Sequence, residues 1–383
     1  MPSPAPLFEN AIIAGAAEVP YRRHAVGVTT ESLFRDAFKT VIEDAGIDRT
    51  EVDGLAVSSF TLQPDRAINL AWQLGLSLRW SMEDTHGGAS GINMLQHAVR
   101  AVQCGDASVV VVMAADHYEP DTLHSLNDNF NRVVKEHLAP LPFGGPNALF
   151  SLLTQAHMKQ YGLDRADYGA VCIAQREWAA HNPIAAYRSA MTLDDYLDAP
   201  AVAPPLGRFD CVPVVSGADA IVVMRDHGGR SGVRVRALRA YHNADQQAGD
   251  GLTTGLATVA PSLWNDAGYG PDAIDLACVY DDYPVMVLVQ LADLGFVNSD
   301  FKQFIATRLS THELPVNTSG GQLSCGQAGS AGGLHGLVEA VTQLRGRAGR
   351  RQIADARRAV VTGYGMFAYR YCLCANAVVI EKD

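Results

Sequence analysis

The chain has 383 residues, 48% of them hydrophobic, with 35 Gly and 18 Pro; this length suits two domains or two similar halves sharing one interface, and this composition excludes a disordered chain. A formal net charge of -11 argues against a nucleic-acid partner, which needs clustered Lys and Arg, and no apolar run approaches the ~20 residues of a membrane span. The seven cysteines lack a repeating spacing and the N-terminus lacks the basic-then-apolar pattern of a secretory signal, so a cytoplasmic protein with reduced thiols is expected.

Along the chain, Ala11 to Gly15 is a short apolar strand, and Thr30 to Ala45 has helical periodicity, capped by Thr30 and ended by Gly46. Val52 to Ser58 is a second strand, Ile92 to Cys104 a helix with Gly105 just past its end, and Ser108 to Ala114 a β-branched run that should be a buried central strand. The same grammar returns later. Val233 to Ala240 is a strand, Val259 to Ala267 a helix, Leu276 to Tyr280 a strand and Val285 to Leu294 a helix. A Gly-rich loop, Ser319 to Gly336, feeds the helix Leu337 to Leu344; Val360 to Gly363 and Cys372 to Glu381 are the last strands. Cys372 and Cys374 are too close for a usual metal or disulfide pair and alternate as strand residues do. Strands alternating with helices predict a layered α/β fold.

The halves are expected at 1–117 with 209–230, and at 231–383, separated by an insertion over 118–208. Its helical runs are Ala148 to Tyr161, Arg165 to Asn182 and Leu193 to Asp198, with Pro120, Pro140, Pro142, Pro146, Pro204 and Pro205 at its edges. An insertion this long is expected to serve as a lid, a ligand loop or an oligomer contact. Arg345, Arg347, Arg350, Arg351, Arg357 and Arg358 form the one basic cluster, either a solvated helix end and loop or a local phosphate-attracting patch.

The informative stretch is Asp84-Thr85-His86-Gly87-Gly88-Ala89-Ser90-Gly91, a strand-loop-helix elbow. With Tyr161-Gly162-Leu163, Asn182-Pro183, Asp194-Asp195-Tyr196-Leu197, the run Pro213 to Ala220, Asn317-Thr318-Ser319-Gly320-Gly321 and Gly363-Tyr364-Gly365-Met366, it gives an ordered motif set over nearly the whole chain. In this the chain resembles thiolases of the sterol-carrier-protein type. The resemblance implies a duplicated five-layered α/β/α/β/α fold, a homodimer and acyl thioesters of coenzyme A as substrates. Where that family carries its acyl-accepting cysteine, this chain has Gly88. The position of the histidine that activates the nucleophile is occupied by Gln327, that of the second cysteine by Tyr364, and that of the strand-end histidine by Tyr280. Claisen chemistry needs an activated thiolate, and no matched position supplies one.

With two phenols in place of two catalytic groups, the chain looks like the thiolase-fold aldolases of steroid side-chain degradation. Those split β-hydroxyacyl-CoA by retro-aldol cleavage, and they work with a small zinc-ribbon/OB-fold partner. A heterotetramer with such a partner is the implied assembly, with coenzyme A only as part of the substrate and no bound cofactor or metal. Retro-aldol cleavage needs a base at the β-hydroxyl, donors for the thioester enolate and an acid at the α-carbon. Tyr280 and Tyr364 are the candidates for base and acid, in either order. Asp281 orients Tyr280 or caps the following helix. Gly87, Gly88 and Ala89 precede a helix N-terminus and offer amides to the enolate, or form a turn that needs glycine. His86 donates to the thioester or orients a water, or is a satisfied interior group. Asn317 and Gln327 contact thioester or hydroxyl, or stabilise the loop.

Cys325 borders the presumed site, and as a relocated nucleophile it would restore thiolase or acyltransferase chemistry. A non-catalytic scaffold is the third alternative. No Walker-type stretch, dinucleotide-binding glycine spacing or metal-ligand spacing is present in the sequence.

Overall fold

The alternating apolar runs become nine strands of one hydrogen-bonded sheet. The computed structural model describes residues 8, 10–62, 66–119, 135–136, 145–226, 232–244, 249–367 and 373–382. The first half supplies β1 (Ala11–Arg22), α1 (Thr30–Ala45), β2 (Gly54–Ser58), α2 (Arg66–Leu74), β3 (Trp80–Glu83), α3 (Ser90–Cys104) and β4 (Val109–Asp116). The helices α4 (Pro146–Tyr161) and α5 (Arg165–Ala179) come next, followed by β5 (Ser216–Arg225). The second half contains β6 (Val233–His242), α6 (Gly255–Ala267), β7 (Leu276–Cys278), α7 (Pro284–Asp293), α8 (Gly332–Leu344), β8 (Arg358–Gly365) and β9 (Cys374–Lys382).

The strand order is β3-β2-β4-β5-β1-β6-β9-β8-β7. It contains the same unit twice, β2-β4-β5-β1 and β7-β8-β9-β6. In each unit the first pair is parallel and the next two are antiparallel. Within the sheet the units meet at Ile12–Arg234 and Ile13–Val233. Side chains alternate across a strand, so each unit presents two apolar faces. Leu55, Val57, Val111 and Met113 face α1 and α2 in one core. Ala56, Val110 and Val112 of the first unit share a second core with Leu276, Val361 and Val378 of the other, around α3 and α8. Ala277, Val360 and Val379 face α6 and α7 in the third. The layers are therefore helix, sheet, helix, sheet, helix, as the resemblance implies.

The helices α4 and α5 add Leu149, Phe150, Leu153, Tyr168 and Val171 to the third core. In the middle layer α3 and α8 touch backbone to backbone: a Cβ at Gly91 would fall under 3.0 Å from the Gly333 carbonyl.

Several sequence expectations shift. The N-cap of α1 is Thr29, whose extended backbone lets its hydroxyl accept the Ser32 amide, and not Thr30. The segments α2, β3 and β5 have no range among the elements expected from the sequence. The strand starting at Leu276 ends at Cys278, short of Tyr280, because the next two amides leave the ladder. Val279 N–H donates to Asn317 Oδ1 and Tyr280 N–H to Thr362 Oγ1. Four of the clustered arginines are ion-paired: Arg345 and Arg347 with Asp44, Arg351 with Glu339 and Arg358 with Glu381. Most of the cluster is thus engaged in ion pairs around the end of α8 and the start of β8. Cys372, Pro120, Pro140 and Pro142 lie outside the described residues.

Candidate active site

Parallel neighbours β7 and β8 bring their C-terminal ends side by side, and α3 points its N-terminus at the same spot. This puts Tyr280, Tyr364 and the Gly87–Gly88 elbow around one cavity of about 320 Å³. The two phenol rings meet edge to face, with centroids 5.0 Å apart and planes at 88°. The Tyr280 ring stands where a side chain on the elbow would be. A Cβ at Gly88 would lie under 3.0 Å from Cε2 and Cζ of that ring and from the backbone oxygen of Tyr364. The glycine and the tyrosine are thus one steric solution: neither a cysteine nor an alanine fits.

Tyr280 is held on all sides. Its N–H donates to Thr362 Oγ1 at 3.0 Å, its carbonyl accepts Gln290 Nε2 at 2.6 Å, and Thr362 Oγ1 donates to Gln290 Oε1 at 2.6 Å. At the tip, Gln327 Nε2 donates to the phenol oxygen at 2.9 Å. Burial, reinforced by the nearby Asp282 charge, pushes the Tyr280 phenol up from its ordinary value, so it keeps its proton at neutral pH. Tyr364 is arranged oppositely. Its hydroxyl donates to both carboxylate oxygens of Asp282 at 2.5 Å, and Asp282 itself lines the cavity.

The remaining predicted residues separate into two groups. Gly87, Gly88 and Gln327 line the cavity with the tyrosines, and no side chain caps the N-terminus of α3. Ala89 is buried beside them but is not in the wall. The His86 side chain does not join the lining: Nδ1 is 3.0 Å from Asp84, and its ring stacks on His242 at 5.4 Å. The hydrogen bond that His86 donates to Asp84 raises the His86 pKa. Asp281 neither orients Tyr280 by a hydrogen bond nor caps α7. Its carboxylate accepts the amides of Gln322 and Leu323 and the Nε2 of Gln175, fixing the helical turn Gly321–Cys325. Asn317 ties the loop to the strand end through Val279.

Cys325 is buried, donates to the Ser319 carbonyl at 3.0 Å and accepts Asn182 Nδ2 at 3.3 Å; burial raises its thiol pKa. Such a thiol is a poor nucleophile. Cys325→Ala is expected to keep turnover within about twofold and to cost about 1 kcal/mol of stability, checked by steady-state assay and thermal melting; loss of turnover without unfolding would restore it as a nucleophile.

Asp282 escaped the sequence analysis. The alternation past β7 offered a signal: Tyr280 and Asp282 face the cavity and Asp281 faces away. Phe60, Tyr118, Val212, Val214, Met366 and Phe367 complete much of the apolar wall. Tyr283 and Asn147 also line the cavity; Tyr283 stacks on Phe150 at 4.2 Å and donates to Asn147 Oδ1. Apart from this site, Glu18, Asp219 and His335 each place a ligand-type atom within 4.8 Å of the others. Spacing along the chain could not reveal that grouping. The His335 ring is hydrogen-bonded to Glu18 and Ser319.

The chain has relatives among known proteins over most of its length. The family model described as thiolase C-terminal domain-like matches residues 237–374. The 17-hydroxy-3-oxo-4-pregnene-20-carboxyl-CoA lyase of Mycobacterium tuberculosis is 30% identical over 369 residues, covering 89% of this chain and 92% of that protein. This chain belongs to the thiolase-fold aldolases of the thiolase superfamily. A steroid side-chain-cleaving aldolase of Thermomonospora curvata is 28% identical over 92% of this chain and 94% of its own. The solved Ltp2-ChsH2(DUF35) aldolase superposes with a TM-score of 0.82 at 26% identity, covering 99% of both chains. The chain is an acyl-CoA aldolase, a carbon–carbon lyase. Among the described residues, no helix is long and apolar enough to cross a membrane.

Proposed function

We propose that this aldolase cleaves a bulky or branched β-hydroxyacyl-CoA to a ketone or aldehyde and a shorter acyl-CoA by a retro-aldol step, with no acyl-enzyme. The observation that carries this is the Tyr280 ring filling the space of the missing Gly88 side chain, which replaces a nucleophile by a proton donor. The cavity wall is aromatic and apolar, which suits a bulky β-substituent. The names of the two relatives above, a carboxyl-CoA lyase and a side-chain-cleaving aldolase, support a steroid or comparably large acyl group.

The opposite hydrogen bonding of the two phenols divides the roles. Tyr364, whose proton is directed at Asp282, presents its oxygen as acceptor to the β-hydroxyl. The Cα–Cβ bond breaks as the carbonyl forms, and its electron pair enters the thioester enolate. The uncapped start of α3 faces that developing charge. Tyr280, protonated and fixed by Gln327, gives its proton to the α-carbon. Coenzyme A enters only as part of the substrate. A homodimer carrying a small zinc-ribbon/OB-fold partner on each subunit is the proposed assembly; the likeness to the Ltp2-ChsH2(DUF35) aldolase supports such a partner.

The test is mass spectrometry of products from β-hydroxyacyl- and β-ketoacyl-CoAs, with free CoA, with and without a co-encoded partner. Cleavage of the hydroxy substrate without consumption of CoA is expected. CoA-dependent cleavage of the keto substrate would mean thiolase chemistry, and silence on both would mean a scaffold. In the same assay Tyr280→Phe, which keeps the ring in the Gly88 slot, is expected to lower kcat about 10²-fold; an unchanged kcat would remove Tyr280 from the chemistry.

A further inference from the structure

The proton taken from the substrate needs a destination. Tyr364 cannot keep it, because its oxygen already carries one. Its hydroxyl lies 2.5 Å from each oxygen of Asp282, and both residues line the cavity. We propose that Asp282, acting through Tyr364, is the terminal proton acceptor of the cleavage step. This inference rests on the retro-aldol function proposed above. As the Cα–Cβ bond breaks, the β-hydroxyl proton moves to Tyr364 Oη, and the proton that Tyr364 carried moves to Asp282. Tyr364 ends neutral, Asp282 ends as the acid, and Tyr280 ends one proton short after protonating the α-carbon. Return of the Asp282 proton to Tyr280 resets the site with no external reagent. Tyr364, hydrogen-bonded to Asp282 and with its ring 5.0 Å from that of Tyr280, stands between the ends of that return.

The surroundings suit a carboxylate of unusual basicity. Among the described residues, the titratable groups acting on or facing Asp282 are the phenols of Tyr280, Tyr283 and Tyr364, the thiol of Cys211 and the carboxyl of Asp281. Burial first, and then the Asp281 charge, push the Asp282 carboxyl up to about 8, against the pull of the Tyr364 hydrogen bond. A base in this range takes a proton more readily than an ordinary aspartate. Asp281, one residue earlier, is engaged by two backbone amides and cannot substitute for it.

The experiment compares wild type, Asp282→Asn and Asp282→Glu for kcat, KM and the pH dependence of kcat on a β-hydroxyacyl-CoA that wild type cleaves. Asp282 must be ionised to accept, so wild-type kcat is expected to rise with pH and level above about 8. Asp282→Asn is expected to lose about 10³-fold in kcat with KM within about threefold, and its residual rate to lose the acid limb. Asp282→Glu, which keeps the charge, is expected to recover part of kcat with the limb displaced. A residue that merely held Tyr364 in place would leave the limb where it was. Wild-type kcat in Asp282→Asn, or an unmoved limb in both variants, overturns the proposal while retro-aldol cleavage by wild type stands. Absence of cleavage by wild type on any hydroxy substrate overturns the function itself.

Discussion

Tyr364→Phe is expected to lower kcat for cleavage of a β-hydroxyacyl-CoA about 10³-fold while KM stays within about threefold. Only an oxygen is removed. The ring keeps its edge contact with Phe150 at 6.2 Å and with Tyr280 at 5.0 Å, so the cavity retains its shape. What disappears is the acceptor for the substrate hydroxyl and its link to Asp282. General acid–base groups contribute roughly 10²–10⁴-fold, and a loss confined to kcat marks an interaction made in the transition state. Steady-state kinetics with a thermal melt of the same preparation checks it. A Phe variant that turns over at the wild-type rate would remove Tyr364 from the chemistry.

Gly88→Cys, which writes the thiolase nucleophile back into the elbow, is expected to abolish turnover and to destabilise the protein by about 3 kcal/mol, without forming an acyl-enzyme. The new Cβ would overlap the Tyr280 ring and the Tyr364 carbonyl. Adding Tyr280→His relieves the first overlap only, since the second is with backbone, so the double variant is expected to stay less stable than wild type. The difference from an ordinary small-to-large change is that the obstruction belongs to the end of β8. Thermal unfolding and intact-mass spectrometry after exposure to a short acyl-CoA give the answer. A stable, acylated Gly88→Cys protein would show that the elbow can still host a thiolate.

The sequence carried the fold unusually far because its signals are local and repeated. The apolar run from Ser108 and the helical period of residues 30–45 each fixed an element alone. The motif order carried the duplication, later seen as two strand units with the same order and sense. What it missed carries shorter signals. The segment α2 is short, with Ala67, Leu70 and Ala71 buried, β3 is a four-residue edge strand of alternating exposure, and β5 begins inside the Pro213–Ala220 motif and runs on to Arg225. Thr29 and Thr30 look alike in sequence, and only the extended backbone angle of Thr29 marks it as the cap.

In the site, sequence by itself determined which chemical groups are absent: identity at one matched position is enough to say that Gly88 and Gln327 bring neither thiol nor imidazole. It also put phenols at the two strand ends. Only the tertiary structure decided which of the neighbouring groups act together. Asp281 and Asp282 are adjacent and chemically identical. One is turned to the amides of Gln322 and Leu323, and the other to the hydroxyl of Tyr364. His86 lies two residues from the elbow yet turns to Asp84 and His242. Cys325, in the right loop, is buried against Ser319 and Asn182. These choices are made by hydrogen-bond partners distant along the chain: Tyr364 lies 82 residues from Asp282 and Gln327 lies 47 from Tyr280. Spacing in one sequence records local periodicity. It holds no record of which buried donor reaches which acceptor once two strand ends and a helix start converge.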